Sequence, residues 1–222
     1  MDEAIAILQR ALATDPDDVG LLEELAWAQW RSDPAAARTT ALRLVSRAPE
    51  NGEGHYVAAL SCLDLGLGKE GLEHARRMVA LAPNRSASHA LLADALARRR
   101  RKRKEALAAA ARAIELDPDS LPGFVAAGNV ELAHRRWRNA ETWYRRALEL
   151  DRHSSVAQRN LIVAQQAGGR LAPAFSDAQA LLRFDPRDAD ARRALDGLVS
   201  TTLLHLQWIV LGLATVALVV RG

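Results

Sequence analysis

Side chains that could perform catalysis or bind a metal are few in this chain and lie far apart. No two histidines have the helical spacing expected of paired metal ligands; they are His55, His74, His89, His134, His153 and His205. The single cysteine, Cys62, cannot form an internal disulfide and is interpreted as a small buried hydrophobic residue. No nucleophile elbow, phosphate-binding loop or dinucleotide-binding fingerprint occurs. We therefore expect no catalytic residues, no cofactor and no metal, and a protein that is not an enzyme.

Charged residues are distributed unevenly along the chain. Residues 1–97 contain 9 Lys or Arg against 14 Asp or Glu, whereas residues 98–152 contain 14 against 8. Half of the cations in the second segment form one run, Arg98, Arg99, Arg100, Arg101, Lys102, Arg103 and Lys104. Such a run is typical either of a site for an anionic partner or of a solvated turn, and both interpretations stay open.

The overall composition is that of a folded protein. Of its 222 residues, 49% are hydrophobic and 26% are charged, with a net charge of +3 at pH 7. This balance can bury a core and excludes wholesale disorder and a collagen-like fibre. One cysteine excludes a disulfide-stapled secreted scaffold. Because the first residues are acidic and lack a secretory signal, we expect synthesis in the cytosol.

A helix-ending motif recurs along the chain at spacings of 33, 34, 35, 34 and 34 residues. Its last members are Pro16, Pro49, Pro83, Pro118, Arg152 and Pro186. Twelve residues before each of them stands a small residue, namely Ala4, Ala37, Gly71, Ala106, Ala140 and Ala174. Small residues recur in the preceding segments too, at Ala26, Ala59, Ala93 and Gly128. Each period therefore predicts two helices that cross closely, the second usually stopped by proline.

This pattern resembles the tetratricopeptide repeat (TPR), whose 34-residue helix–turn–helix unit has small residues at the helix crossing and a terminal proline. Residues 140–151 are especially similar to the second helix of that family, with Tyr144 and Ala147 at its aromatic and small positions. The resemblance covers about residues 4–198. It implies an all-α fold, an α-solenoid of TPR helix–turn–helix repeats in a right-handed superhelix.

The resemblance also implies how the chain is divided. Residues 1–18 are expected to form a partial N-terminal repeat with only its second helix, residues 19–186 five TPR units, and residues 187–200 a capping helix. The half repeat leaves three alternatives open. It is a naturally truncated cap, or the start codon hides an upstream segment, or another chain covers it.

The C-terminal residues 203–220 carry no ionised side chain and have the length of a membrane span. Eighteen helical residues extend about 27 Å, close to the roughly 30 Å hydrocarbon core. We therefore expect residues 201–222 to be a transmembrane anchor with a two-residue tail; the alternative is a helix packed on the solenoid. Upstream arginines predict a single-pass membrane protein with a cytoplasmic N-terminal domain. The Arg-rich and Ala-rich composition suggests the bacterial inner membrane.

In the TPR family, partners usually bind the concave surface formed by the first helices of the units. On this sequence the resemblance gives a surface that begins with aromatic and apolar residues and continues with polar ones. This partner groove comprises Glu23, Trp27, Trp30, Tyr56, Leu60, Leu63, Asp94, Asn129, Arg159 and Asn160. Trp27 and Trp30 are i and i+3, so they share one side of a helix and could form a binding hot spot. The alternative is that one or both complete the core.

Some family members bind a peptide's C-terminal carboxylate with a clamp of asparagines and cations. Asn129 and Asn160 match the two asparagine positions of that clamp. However, Val125, Asp190 and Ala194 stand where the resemblance places its cations. We therefore do not expect a carboxylate clamp of this kind.

Equivalent turns of stacked repeats lie side by side, so the run 98–104 is expected to adjoin the cations of later turns. These are Arg135, Arg136, Arg138 and Arg170, and we call the whole set the basic ridge. The ridge is expected to attract an anionic lipid or an acidic protein. Nucleic acid ranks lower as a partner, because only Trp137 interleaves with the cations and no nucleic-acid-binding motif accompanies them.

Together these features predict a non-enzymatic, membrane-anchored scaffold or assembly factor for protein–protein interactions. It would present a groove for a protein or peptide ligand at the cytoplasmic membrane face. The rival hypothesis is a soluble or peripheral regulator that uses the basic ridge to bind nucleic acid or another polyanion.

Overall fold

A computed structural model describes residues 2–99, 101–184, 186–187, 189, 191–193 and 195–200. These residues form α-helices and no β-strand. In chain order the helices are α1 (Asp2–Thr14), α2 (Val19–Trp30), α3 (Pro34–Arg47), α4 (Gly52–Asp64), α5 (Gly68–Leu81), α6 (Ser86–Ala97), α7 (Arg103–Leu116), α8 (Leu121–Ala133), α9 (Trp137–Leu150), α10 (Ser155–Ala167) and α11 (Leu171–Phe184). Residues 189, 191–193 and 195–200 are helical as well.

The helix lengths alternate with the sequence period. Helices α2, α4, α6, α8 and α10 have 12 or 13 residues, whereas α3, α5, α7, α9 and α11 each have 14. Capping explains several of the boundaries, because a side-chain oxygen before the helix accepts a hydrogen bond from a backbone N–H of its first turn. Asp18 does this for α2, Asp33 for α3, Ser120 for α8 and Ser154 for α10.

The chain divides into two compact units, Met1–His134 and Arg135–Gly222. Within the first unit α2 packs on α3, α4 on α5 and α6 on α7, and α2, α4, α6 and α8 contact one another in series. Within the second unit α10 packs against both α9 and α11. The all-α helical-repeat fold predicted from the sequence is confirmed, since paired helices of alternating length follow the predicted period.

The small residues of the repeat are buried where helices cross. Ala26, Ala37, Ala59, Ala93, Ala106, Ala140 and Ala174 are all fully buried. At these positions a methyl group lets two helices approach closely, whereas a larger side chain would hold them apart. The equivalent Ala4 of α1 is exposed.

The predicted single-pass membrane localisation, with a cytoplasmic N-terminal domain at the bacterial inner membrane, is contradicted. No helix among the described residues is long and apolar enough to cross a membrane. The longest of α1 to α11 have 14 residues, which extend about 21 Å against a hydrocarbon core of roughly 30 Å. The predicted span, residues 203–220, lies outside the described residues. A membrane-anchored scaffold is therefore not supported.

Overpacking a helix crossing should destabilise the first unit. We expect Ala106→Leu to lower the free energy of unfolding by about 2 kcal/mol, because the added methylenes must displace buried neighbours. Ala108→Leu, at an exposed position of the same helix, should change it by less than about 0.5 kcal/mol. Urea unfolding of both variants measures the difference. Equal losses would contradict the close crossing.

Candidate functional site

Three aromatic side chains on the first helices of two neighbouring pairs contact one another. Trp27 and Trp30 on α2 meet edge to face, with 5.8 Å between ring centroids and an interplanar angle of 82°. Tyr56 on α4 lies 5.6 Å from Trp27, and we call the three rings the aromatic cluster. Both tryptophans are half-buried and pack on a core that includes Ala26 and Val57. One part of each tryptophan side chain therefore packs on the core, while another part stays exposed to solvent.

Three carboxylates on α2, α4 and α6 accept hydrogen bonds from neutral donors. Glu23 accepts from the Asn51 amide at 2.9 Å, Asp64 from the Trp30 indole N–H at 2.9 Å, and Asp94 from the Asn129 amide at 2.9 Å. We call Glu23, Asp64 and Asp94 the carboxylate set. Among the described residues, none of the three lies within ion-pair distance of a cation. Their negative charges are held in place without being neutralised.

Burial raises the pKa of Asp94 to about 6. The hydrogen bond from Asn129 and the more distant charge of Arg98 favour the carboxylate and limit this rise. The pKa of Tyr56 is also raised, first by burial and then by the negative charge of Asp94. The helices that carry these two residues, α4 and α6, contact each other.

Two arginines lie over the aromatic cluster. The Arg85 guanidinium is 5.7 Å from the centre of the Tyr56 ring and forms an ion pair with Glu53. The Arg31 guanidinium is 5.7 Å from the centre of the Trp30 ring. The faces of these rings therefore already accept cations in the free protein.

The other predicted groove residues are distributed differently. Leu60 is half-buried on α4, whereas Leu63 is only 6% exposed and packs against Gly71 of α5. Leu63 thus lies in the core rather than on an open surface. Arg159 and Asn160 lie half-buried on α10 of the second unit. The remaining predicted residues all lie in the first unit, where Trp27 contacts Trp30 and Tyr56, and Asn129 donates to Asp94; Glu23 and Leu60 lie on the same helices, α2 and α4.

Several residues of this surface were missing from the sequence prediction, namely Asn51, Glu53, Asp64 and Arg85. The repeat period could have indicated one of them, Asp64, because it lies one repeat after Trp30. Trp30 and Asp64 are separated by 34 residues, and Asp94 and Asn129 by 35, so each pair occupies related places in neighbouring repeats. The ion pair between Glu53 and Arg85 has a separation of 32.

The first part of the predicted basic ridge lies in the α6–α7 turn and at the start of α7. Arg98, Arg101 and Lys104 are exposed and Arg99 is half-buried, whereas Arg100 lies outside the described residues. Two cations of the run have carboxylate partners. Lys102 pairs with Glu105, and Arg103 donates two hydrogen bonds, of 3.0 and 2.6 Å, to the buried Glu131 of α8. Arg103 is therefore a structural residue that joins α7 to α8.

The remaining ridge residues belong to the second unit. Arg135, Arg136, Arg138 and Arg170 are exposed there. Arg170 nevertheless pairs with Glu141 of α9, whose side chain is almost completely buried. This cation also has a structural role, because it compensates a charge that has been removed from water.

Two histidines of the first unit form a pair between α4 and α5, in which His55 is buried and His74 is half-buried. His55 Nδ1 and His74 Nδ1 are 2.9 Å apart, and His55 Nε2 lies 3.1 Å from the Pro49 carbonyl oxygen. Because a carbonyl only accepts, His55 Nε2 carries a proton, and His74 donates to the bare Nδ1 of a neutral His55. Across the described residues, no group of three or more His, Cys, Asp or Glu side chains could hold a metal ion.

Burial lowers the pKa of both histidines. For His55, the hydrogen bond to Pro49 opposes this and the charge of Arg77 adds to it. For His74, the repulsion that a protonated His55 would exert is the next largest cause of the lowering. The pair is thus held neutral between the two helices.

Comparisons with known proteins agree with this architecture. No family model and no curated protein matches the chain. Among solved structures, a thermophilic TPR protein from Thermus thermophilus is similar, with 25% identity, a TM-score of 0.72, and coverage of 82% of this chain and 98% of the other. A tetratricopeptide repeat protein from Parabacteroides merdae has 13% identity and a TM-score of 0.69, over 90% of this chain and 79% of the other.

A third similar structure is YrrB, a TPR protein with an unusual peptide-binding site. It has 15% identity and a TM-score of 0.50, over 84% of this chain and 96% of the other. The repeat sequence, the paired helices and these neighbours support a TPR protein, a class of generally non-enzymatic protein-interaction scaffolds. Neither a lipid, a membrane nor a nucleic acid is supported as a partner by these comparisons.

Breaking the pair of Arg103 and Glu131 should destabilise the first unit. We expect Arg103→Ala to cost about 3 kcal/mol, because the Glu131 carboxylate stays buried without its main cation. Arg101→Ala removes an exposed cation of the same run and should change the free energy of unfolding by less than about 0.5 kcal/mol. Chemical denaturation measures both. A loss that is the same for the two variants would assign Arg103 to the exposed ridge.

The neutral histidine pair should make the protein sensitive to acid. Their lowered pKa values mean that the unfolded chain takes up protons first, so stability falls as pH decreases below the ordinary value of about 6.5. His74→Asn removes one titrating ring but keeps a donor near His55. We expect this variant to lose less stability than the parent between about pH 7 and pH 5. Thermal unfolding at several pH values tests this, and parallel pH profiles would refute it.

Proposed function

We propose that the chain is a scaffold that binds a peptide segment of a partner protein on the first helices of its N-terminal unit. The aromatic cluster is the observation that carries this proposal. Trp27, Trp30 and Tyr56 are large rings that stay half-buried although they contact one another. Rings that are fixed by packing yet open on one side lose little conformational entropy when a partner covers them.

The surface that carries the aromatic cluster continues along α4, α6 and α8. Leu60 adds an apolar side chain on α4, and Asp94 with Asn129 adds a hydrogen-bonded polar pair on α6 and α8. These helices contact one another in series, so a segment that crosses them meets an apolar and then a polar region. A TPR protein of similar fold, YrrB, has a peptide-binding site, which supports the same kind of ligand here.

The proposal includes the division of the chain into repeats that the sequence predicted. We propose that residues 19–186 act as five TPR units between a partial first repeat, 1–18, and a capping helix, 187–200. The alternating helix lengths support this division. The proposed groove lies entirely within the first compact unit, Met1–His134.

A random peptide library displayed on phage tests the proposed function. Selection on the full chain should yield peptides whose binding depends on the aromatic cluster. We expect Trp27→Ala or Tyr56→Ala to raise the Kd of a selected peptide by about 30-fold, the loss typical of a hot-spot aromatic. Titration calorimetry measures the Kd, and circular dichroism checks that each variant is folded.

Trp143→Ala provides a control of the same chemistry. Trp143 is half-buried on α9 of the second unit, where an arginine also lies over its ring. This variant should bind the selected peptides as the parent does. If the selected peptides bound the Trp27 and Tyr56 variants unchanged, the groove would have to be placed elsewhere on the chain.

A further inference from the structure

The carboxylate set distinguishes this surface from a generally polar one. Each of its members has a neutral hydrogen-bond donor, Asn51, Trp30 or Asn129, where an arginine or lysine would have neutralised it. Elsewhere in the first unit, carboxylates between helices do have cationic partners, as Glu70 has in Arg38 and Glu131 in Arg103. The contrast shows that the donors fix the orientation of these carboxylates while leaving their charge available.

Asp94 is the member of the set whose ionisation is costly in the free protein. The Asn129 amide from α8 donates a hydrogen bond to it, and its charge also interacts with Tyr56 on α4 and with Arg98 at the end of α6. A half-buried carboxylate whose hydrogen-bond donor is neutral provides a negative charge for one incoming cation.

From this geometry we infer that the partner segment is basic, with a lysine or arginine side chain that lies along Tyr56 and ends at Asp94. The inference rests on the proposed function and names the chemistry of its ligand. Among the described residues, the cations already near the surface form no ion pair with Asp94, although the Arg85 guanidinium lies 5.7 Å from the centre of the Tyr56 ring. Arg85 is paired with Glu53, and Arg31 lies at the far end of α2.

The spacing of the helices sets the spacing within the ligand. Neighbouring packed helices lie about 8–10 Å apart, so α2 and α6 are separated by roughly 16–20 Å. An extended peptide covers about 3.3 Å per residue. A ligand should therefore place an aromatic or aliphatic residue on the cluster of Trp27 and Trp30, and its basic residue about five or six positions away. An acidic segment would meet the carboxylate set and be repelled.

Defined peptides test this inference directly. The probe is a fluorescein-labelled peptide of about ten residues with a tryptophan or leucine five to six positions from an arginine pair, on a Gly/Ser/Ala background. Two matched peptides carry glutamine or glutamate in place of the arginines. We expect fluorescence polarisation to give a Kd for the basic peptide at least about 10-fold lower than for the neutral one, and no binding of the acidic one.

Asp94→Asn separates charge recognition from structure. Asparagine keeps an oxygen that accepts from Asn129 and removes only the charge. We expect the variant to raise the Kd of the basic peptide about 10-fold and to leave the Kd of the neutral peptide unchanged. Glu50→Gln removes an exposed carboxylate in the α3–α4 turn and should leave the Kd of both peptides unchanged.

Two further measurements distinguish charge recognition by Asp94 from a merely structural role: the urea midpoint of Asp94→Asn and the pH dependence of peptide binding. Its raised pKa means that ionisation opposes folding, so Asp94→Asn should not lower the urea midpoint above about pH 6. The parent should bind the basic peptide more weakly at about pH 5.5 than at about pH 7.5, because Asp94 becomes protonated, and the variant should show less of this change.

The outcomes separate the inference from the proposed function. If the neutral or acidic peptide bound as well as the basic one, and this binding was lost in Trp27→Ala, the groove would stand and the preference for a basic ligand would be wrong. If the basic peptide bound equally well to Trp27→Ala, Tyr56→Ala and Asp94→Asn, both would fail. Reduced binding in Glu50→Gln equal to that in Asp94→Asn would show attraction by overall charge and overturn the assignment to Asp94.

Discussion

Close helix crossings that only small side chains permit are the constraint on which this structure depends. A fully buried alanine occurs at Ala37, Ala106, Ala140 and Ala174 in one helix of a pair, and at Ala26, Ala59 and Ala93 in the other. Each crossing brings two helices of fixed length into contact, which buries the apolar side of both. The aromatic cluster and the carboxylate set are placed by these contacts, because they lie on helices whose other sides are fixed in the core.

The sequence period was sufficient to predict the helix pairs. Proline and small-residue positions predicted where helices end and cross, and these signals depend on backbone geometry that is local in the chain. The membrane localisation was predicted from the length and hydropathy of residues 203–220, from the arginines upstream of them and from the overall composition. That prediction is wrong by the finding that no helix among the described residues is long and apolar enough to cross a membrane; residues 203–220 themselves lie outside that part of the chain.

The candidate site was only partly predictable. Trp27, Trp30 and Tyr56 could be assigned to one surface from their positions in the repeat, and the structure brings their rings into contact. By contrast, Arg103 looked like one cation in a run of seven, although it makes a two-point contact with the buried Glu131. Side-chain partners of this kind depend on where two helices place their ends, and the period of the sequence does not contain that information. The pair of His55 and His74 was missed for the same reason.

Some contacts between neighbouring repeats join residues of different chemistry at related positions. Trp30 donates to Asp64, and Asn129 donates to Asp94, across separations of 34 and 35 residues. A repeat array with identical modules could gain or lose one module without changing any of its interfaces. Here the removal of one module would bring a donor opposite a residue that is not its acceptor. These two hydrogen bonds therefore depend on the order of the modules, even though the backbone geometry of a repeat array would allow a module to be added or removed.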